Sequence, residues 1–292
     1  MARLDGLKGG LIPAVPVPFR GSAIDETALR SYAGWMASQP VAGVAVWAHT
    51  GRGIHLSAEQ RHLVLEVWRE AMPDRIIVAG ARDITMAIEA RRGHADALLV
   101  FPERDKAVEL HRRLGRELPA IAFHLYEAAG GVSYDDATLR EILALPEVIG
   151  IKVATLDSVM TFQRIAGLLH DFPDKLLITG EDRFLGYSLM LGATTALIGM
   201  AAALTDIQSH LLDAFRNGDL ARFHKLSSIC DQFSRATFTP PMEGYIRRML
   251  WALAAEGIIP ETSCDDPWGP VLESQERDQV IQAVSDARAA GA

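Results

Sequence analysis

Cysteine is nearly absent from this 292-residue chain: Cys230 and Cys264 stand far apart and outside any Cys-x-x-Cys spacing. That excludes a disulfide framework and a cysteine-based structural zinc site. No apolar run reaches the roughly 18 uninterrupted residues of a membrane helix, and Lys and Arg form no basic run or aromatic-basic interleaving in a chain of net charge −8. Neither a membrane nor nucleic acid is therefore expected as a partner. The opening Met1-Ala2-Arg3-Leu4-Asp5-Gly6-Leu7-Lys8 lacks the apolar stretch of a signal peptide, so a cytoplasmic protein is expected. Low-complexity segments and internal repeats are missing as well.

What is present is an ordinary globular composition, 49% hydrophobic and 23% charged, and a length suited to one α/β barrel of about 250 residues with an extension. Short apolar runs recur at Leu11 to Phe19, Val44 to Ala48, Ile76 to Ala81, Ala97 to Phe101, Ala120 to Tyr126, Val148 to Val153, Leu176 to Thr179 and Ala196 to Met200. Their near-continuous apolarity suits strands covered on both faces by crossover helices. Helix-like stretches lie between them: Asp25 to Ser38, Ala58 to Ala71, Ile84 to Arg92, Lys106 to Leu114, Tyr134 to Leu145, Leu156 to Asp171 and Arg183 to Leu191. Eight alternating units favour closure into a (βα)8 TIM barrel over an open sheet. Residues 1–204 are assigned to the barrel and 205–292 to a C-terminal helical extension packed on it. Within that extension Asp206 to Gly218, Leu220 to Ala236, Met242 to Gly257 and Glu273 to Ala289 read as helices.

Lysine is scarce, with five copies, and only Lys152 interrupts an apolar strand, in Val148-Ile149-Gly150-Ile151-Lys152-Val153-Ala154. Gly150 is expected to leave room beside it. A residue near a barrel strand's end is aimed at the C-terminal mouth, where such folds hold their active sites. Burial disfavours the ammonium and exposes a nucleophilic amine, which attacks a ketone to give an imine that serves as an electron sink. The competing reading is a salt-bridged structural lysine. After the second strand, Trp47-Ala48-His49-Thr50-Gly51-Arg52-Gly53 forms a glycine-flanked turn able to direct N–H groups and the Thr50 hydroxyl at a carboxylate. A plain βα loop with a helix cap at Ser57 is the alternative.

Pro16-Val17-Pro18-Phe19, Ala48-His49-Thr50-Gly51-Arg52 with Leu56-Ser57, Ile149-Gly150-Ile151-Lys152, Gly180-Glu181-Asp182 and Gly192-Ala193 follow one another along nearly the whole chain. This order resembles the dihydrodipicolinate synthase/N-acetylneuraminate lyase family of class I, Schiff-base aldolases. The resemblance implies a (βα)8 barrel with a helical tail, an imine-forming lysine at Lys152 and a homodimer or homotetramer. It also implies a pyruvate or other 2-oxo acid substrate whose carboxylate sits on the loop from Ala48 to Arg52, with Thr50, Gly51 and Gly180 in the binding set.

Departures from the family pattern are equally informative. The family's Gly-Thr-Thr-Gly-Glu is Ala-His-Thr-Gly-Arg here, so the relay threonine has become His49. Its Tyr-Asn-x-Pro is replaced by Phe123-His124-Leu125-Tyr126-Glu127, and alignment on Gly130-Gly131 puts His124 at the tyrosine's position. Tyr126, two residues on, is expected on the same strand face, leaving His124, Tyr126 and His49 as acid/base candidates. The second-substrate arginine of synthase-type members corresponds to Ala129, which argues against dihydrodipicolinate synthesis. Pro102-Glu103-Arg104-Asp105-Lys106 carries none of the tyrosines that family dimers share across their interface. Arg52 and Arg82, just beyond strand ends, are candidates to replace the lost anion contact, since a guanidinium pairs bidentately with a carboxylate.

The expected activity is a Schiff-base lyase, an aldolase or dehydratase needing no metal and no cofactor. Two other classes compete with it: a non-catalytic 2-oxo-acid-binding or regulatory relative, motivated by the rewritten relay, and a metal-dependent barrel hydrolase using His49, His55 and His124 with Glu181 or Asp182.

Overall fold

The computed structural model describes residues 4–291; residues 1–3, part of the amino-terminal stretch considered above, lie outside the described residues. Eight strands form one all-parallel sheet: β1 (Leu11–Pro13), β2 (Gly43–Val46), β3 (Ile76–Ala81), β4 (Ala97–Val100), β5 (Ala120–Leu125), β6 (Val148–Ala154), β7 (Leu176–Thr179) and β8 (Thr195–Ile198). Neighbours pair in sequence order, β8 pairs with β1, and a parallel bridge between Ala14 and Ala45 joins β1 to β2, which closes the barrel. One strand face fills the interior, with Ile12, Ala45, Val78, Leu99, Ile121, Phe123, Ile178 and Leu197 in a single buried cluster. The alternate residues, among them Val44, Ile77, Leu98, Ile151 and Val153, pack outward under the helices. Both faces are dry, which is why the strands read as continuous apolar runs.

The helices are α1 (Glu26–Ala37), α2 (Ala58–Ala71), α3 (Ile84–Arg92), α4 (Ala107–Gly115), α5 (Asp136–Leu143), α6 (Val159–Leu168), α7 (Leu185–Met190), α8 (Thr205–Arg216), α9 (Leu220–Thr237), α10 (Tyr245–Ala255) and α11 (Ser274–Gly291). Their starts are written in the sequence. Asp25, Asp83, Asp135, Ser158 and Asp219 each accept an orphan N–H of the first turn, and Ser57 with Gln60 forms a capping box on α2, each worth about 1 kcal/mol. Helix α8 packs against β1 and completes the ring as its eighth helix, so α9 to α11 are what lies beyond the βα units.

The first strand is shorter than the Leu11 to Phe19 run. Pro13, Pro16 and Pro18 bring no N–H to a ladder, so β1 ends at Pro13. Phe19–Arg20 instead pairs antiparallel with Ala23–Ile24, and Phe19 O accepts from Asp265 N at 3.2 Å, tying this loop to the C-terminal extension. Among the described residues no helix is long and apolar enough to cross a membrane.

Candidate active site

Lys152 lies on the inward face of β6, paired in register with Phe123 of β5 and Ile178 of β7. Its side chain is buried, and Nζ stands 4.4 Å from the centre of the Phe123 ring. Among the described residues none forms an ion pair or hydrogen bond with Nζ. Burial drives the lysine's pKa below the ordinary 10.5, with the nearby Asp182 and Glu181 charges opposing. That is how a nucleophilic amine is prepared at neutral pH.

The glycine that admits this side chain is Gly180 rather than Gly150. A Cβ on Gly180 would sit 2.6 Å from Lys152 Cε, whereas one on Gly150 would strike Leu176 O of β7 at 2.5 Å. Gly180→Ala is expected to displace the lysine and cut activity by about 10²-fold, since a misplacement of an ångström costs that much. The measurement is turnover alongside thermal stability, and turnover equal to the parent's would refute the argument.

Lys152 opens onto a narrow cavity of about 30 Å³ lined also by His49, Thr50, Phe123, Leu125, Tyr126, Leu156, Gly180, Asp182, Phe238 and Tyr245. That is room for about two waters. A larger hollow of about 690 Å³, lined by residues such as Leu4, Leu7, Pro146 and Ile149, holds no buried amine and sits at the barrel end that the C-terminal strand ends face away from. The buried amine lines the smaller cavity instead.

The loop after β2 is wound tightly. Ala48 O accepts from Gly51 N at 3.1 Å and Gly53 N at 3.3 Å, and Arg52 N donates to His49 O at 3.1 Å. Trp47 takes a left-handed φ of 54° while its buried ring donates Nε1–H to Arg61 O at 3.0 Å. Its carbonyl is pressed between Gly53 and Gly80, where added Cβ atoms would lie 1.9 and 2.1 Å away; only glycine fits there. The winding leaves the amides of His49 and Thr50 without an acceptor among the described residues, and Thr50 Oγ1 lies 3.0 Å from the Tyr245 hydroxyl. Two free N–H groups beside a hydroxyl suit a carboxylate.

The two arginines expected to bind an anion are placed differently from each other. The buried Arg52 guanidinium is committed to carboxylates of the protein: Nε and Nη2 grip Asp266 at 3.1 and 2.7 Å, and Nη1 donates to Glu243 at 2.8 Å. Arg82 is 60% exposed, faces Asp83 at 3.8 Å and is not among the residues lining the cavity.

His124 and Tyr126 do not share a face. Strand β5 ends at Leu125, with Phe123 and Leu125 pointing inward, so His124 falls on the outer side of the strand and does not line the cavity. Its Nδ1 is buried without a partner, and burial followed by the Arg164 charge lowers its pKa to about 4. Tyr126 lies beyond the strand, where the backbone turns into a short 3-10 segment, and reaches the cavity. Burial and the Glu243 charge push its phenol upward. The metal-site reading needed His49, His55 and His124 to converge; among the described residues no three His, Cys, Asp or Glu side chains gather as a metal site.

Several groups at or behind the cavity wall had no local sequence signal. Glu243, Tyr245 and Phe238 come from the turn and helix start between α9 and α10. Arg248, fully buried, ties that turn down by donating to Thr239 O at 2.7 Å and Pro241 O at 3.3 Å. Glu181 accepts from Thr155 N and Leu156 N at 2.6 and 3.0 Å, shaping the loop after β6, and burial raises its pKa to about 7. Asp182 faces the cavity and accepts from Met200 N at 2.7 Å, its pKa raised by burial. The Gly180-Glu181-Asp182 triplet marked that spot, but not the roles within it.

A closed parallel barrel holding one buried, unpaired lysine near the C-terminal end of its sixth strand defines a lyase of the class I aldolase type. The model of the dihydrodipicolinate synthetase family matches residues 115–287, and the chain belongs to that family. A 4-hydroxy-tetrahydrodipicolinate synthase from Anaplasma marginale is 28% identical over 250 residues, 80% of this chain and 81% of its own. The fold is shared with dihydrodipicolinate synthase from Oceanobacillus iheyensis, with TM-score 0.85 and 15% identity over 99% of this chain and 100% of that one. It is shared too with N-acetylneuraminate lyase from Fusobacterium nucleatum complexed with pyruvate, with TM-score 0.81 and 17% identity over 98% and 99% of the two chains.

Proposed function

We propose that the protein is a Schiff-base-forming lyase, an aldolase or dehydratase, that binds pyruvate or another 2-oxo acid as an imine on Lys152. The observation that carries this reading is a buried amine held by no ion pair or hydrogen bond among the described residues, opening onto a cavity beside two unpaired amides and the Thr50 hydroxyl. The amine attacks the ketone carbon, water leaves, and the substrate carboxylate rests on the Thr50 loop. The imine nitrogen then receives the electron pair of the bond broken one carbon away. The pyruvate complex of a similarly folded lyase supports the choice of acid.

The same proposal holds that the reaction is not dihydrodipicolinate synthesis, although relatives carry that activity in their names. Ala129 stands where synthase-type members have their second anion-binding arginine, and Arg52 already serves Asp266 and Glu243. A cytoplasmic homodimer or homotetramer belongs to the proposal on family grounds, and light scattering reads the assembly.

Borohydride reduction with a panel of 2-oxo acids, followed by mass spectrometry, tests the reading. A reduced adduct on Lys152 is expected, forming faster as pH rises and levelling off below 10.5, because only the neutral amine attacks and burial favours it. An unmodified Lys152 under saturating 2-oxo acid refutes it.

A further inference from the structure

Resting on the Schiff-base reading, we infer that Glu243, a carboxylate supplied by the C-terminal extension, is a positioning residue that sets His49 as the proton carrier of the site. His49 Nε2 lies 2.9 Å from Glu243 Oε1. An ionised carboxylate only accepts hydrogen bonds, so the neutral imidazole carries its proton on Nε2 and presents a lone pair at Nδ1. Among the described residues Nδ1 has no partner, and the ring lines the Lys152 cavity.

Glu243 is itself fixed. Its second oxygen takes Arg52 Nη1 at 2.8 Å, and Arg52 is anchored bidentately on the buried Asp266. Burial raises the Glu243 pKa, but hydrogen bonding and charge from His49 and Arg52 win and hold it at about 2. The imidazole is held in plane as well, stacked on Tyr245 at 6.1 Å and 22° and edged by Tyr126 at 6.5 Å. The charged and titratable groups around it are Arg52 and His55 from its own loop, Lys152 and Asp182 on the same cavity wall, Tyr126 from beyond β5, and Glu243 and Tyr245 from the extension.

The phenols and His124 are less suited to carry a proton at neutral pH. Burial pushes the phenols of Tyr126 and Tyr245 upward, and His124 lies outside the cavity. Asp182 shares the cavity, and its charge acts on the Lys152 amine. In the step assigned here, the C3–H bond of the substrate imine breaks and its electron pair forms the C2=C3 bond. The C2=N π pair returns to Nζ, giving an enamine. The proton rests on His49 Nδ1, and Glu243 offsets the imidazolium charge; the reverse step returns the proton to carbon. A bond of this kind orients the base and stabilises its charged form. The plainer role is a bolt holding the β2 loop to the tail.

Two readouts on the full-length protein separate these roles: exchange of pyruvate C3 protons in heavy water, followed by NMR, and the reduced adduct on Lys152. Glu243→Gln is expected to keep the adduct and lose about 10- to 100-fold in exchange, because the base loses the carboxylate that orients it. His49→Ala is expected to lose more, and adding Glu243→Gln to it should cost nothing further. Parental exchange in Glu243→Gln, or an additive double variant, overturns the inference while leaving the imine reading intact. A parent without an adduct overturns both. Nitrogen NMR of His49 in the unaltered protein needs no variant: the Nε2–H tautomer is expected, and an Nδ1–H tautomer refutes the assignment.

Discussion

Lys152→Ala should leave a folded barrel that forms no reducible adduct with any 2-oxo acid and whose turnover falls by at least about 10⁴-fold, the order of loss when a covalent nucleophile is removed. None of the other four lysines can take over, since Lys152 is the one that reaches the cavity. Stability should stay nearly level. Burial penalises the ammonium while the Asp182 and Glu181 charges favour it, so the effects of removing it oppose each other, and the lost side chain leaves a small void over Phe123. Adduct mass and a thermal melt on the same sample check both halves. A variant that loses activity by unfolding, or one that retains turnover, would contradict the role given to this side chain.

The second large effect concerns Arg52. Replacing it with methionine leaves Asp266 and Glu243 without their cation in a site where the Asp266 side chain is 2% exposed. Breaking a buried pair by removing one partner costs about 3–5 kcal/mol, which for a chain of this size lowers Tm by roughly 6–20 °C. The pH dependence carries a definite sign. Glu243 titrates at about 2 in the folded protein against an ordinary 4.5, so its contribution to stability is present above about 4.5 and is lost as pH falls through about 2. Arg52→Met weakens that depression. The gap between parent and variant should therefore be widest near neutrality and narrow on acidification, and a gap constant from pH 7 to pH 3 would show that Arg52 acts by packing alone.

Much of the architecture is legible before folding because it rests on short-range rules. Strands buried on both faces must be continuously apolar, as Ile76–Ala81 and Ala97–Val100 are, and helices need acceptors at their first turn, which Asp83, Asp135 and Ser158 supply. Lys152 is legible for the same reason, as a charge in a place where a charge is costly. The first strand shows the limit of reading apolarity alone, since three prolines end β1 at Pro13.

The proton chemistry was a different matter. Alternation put His124 and Tyr126 on one face, but β5 stops at Leu125, and the turn that follows sends Tyr126 into the cavity while His124 stays on the outer side. Arg52 reads as a free anion site until its partners are seen: Glu243 is 191 residues away in the chain and Asp266 is 214. So by itself the sequence determined a closed parallel barrel and the lysine at the end of its sixth strand, since both follow from local pattern and the cost of burying charge. Only the tertiary structure decided which groups surround that lysine. Those groups meet because the tail folds back over the barrel mouth, and no local rule says which distant carboxylate will face His49 or take the hand of Arg52.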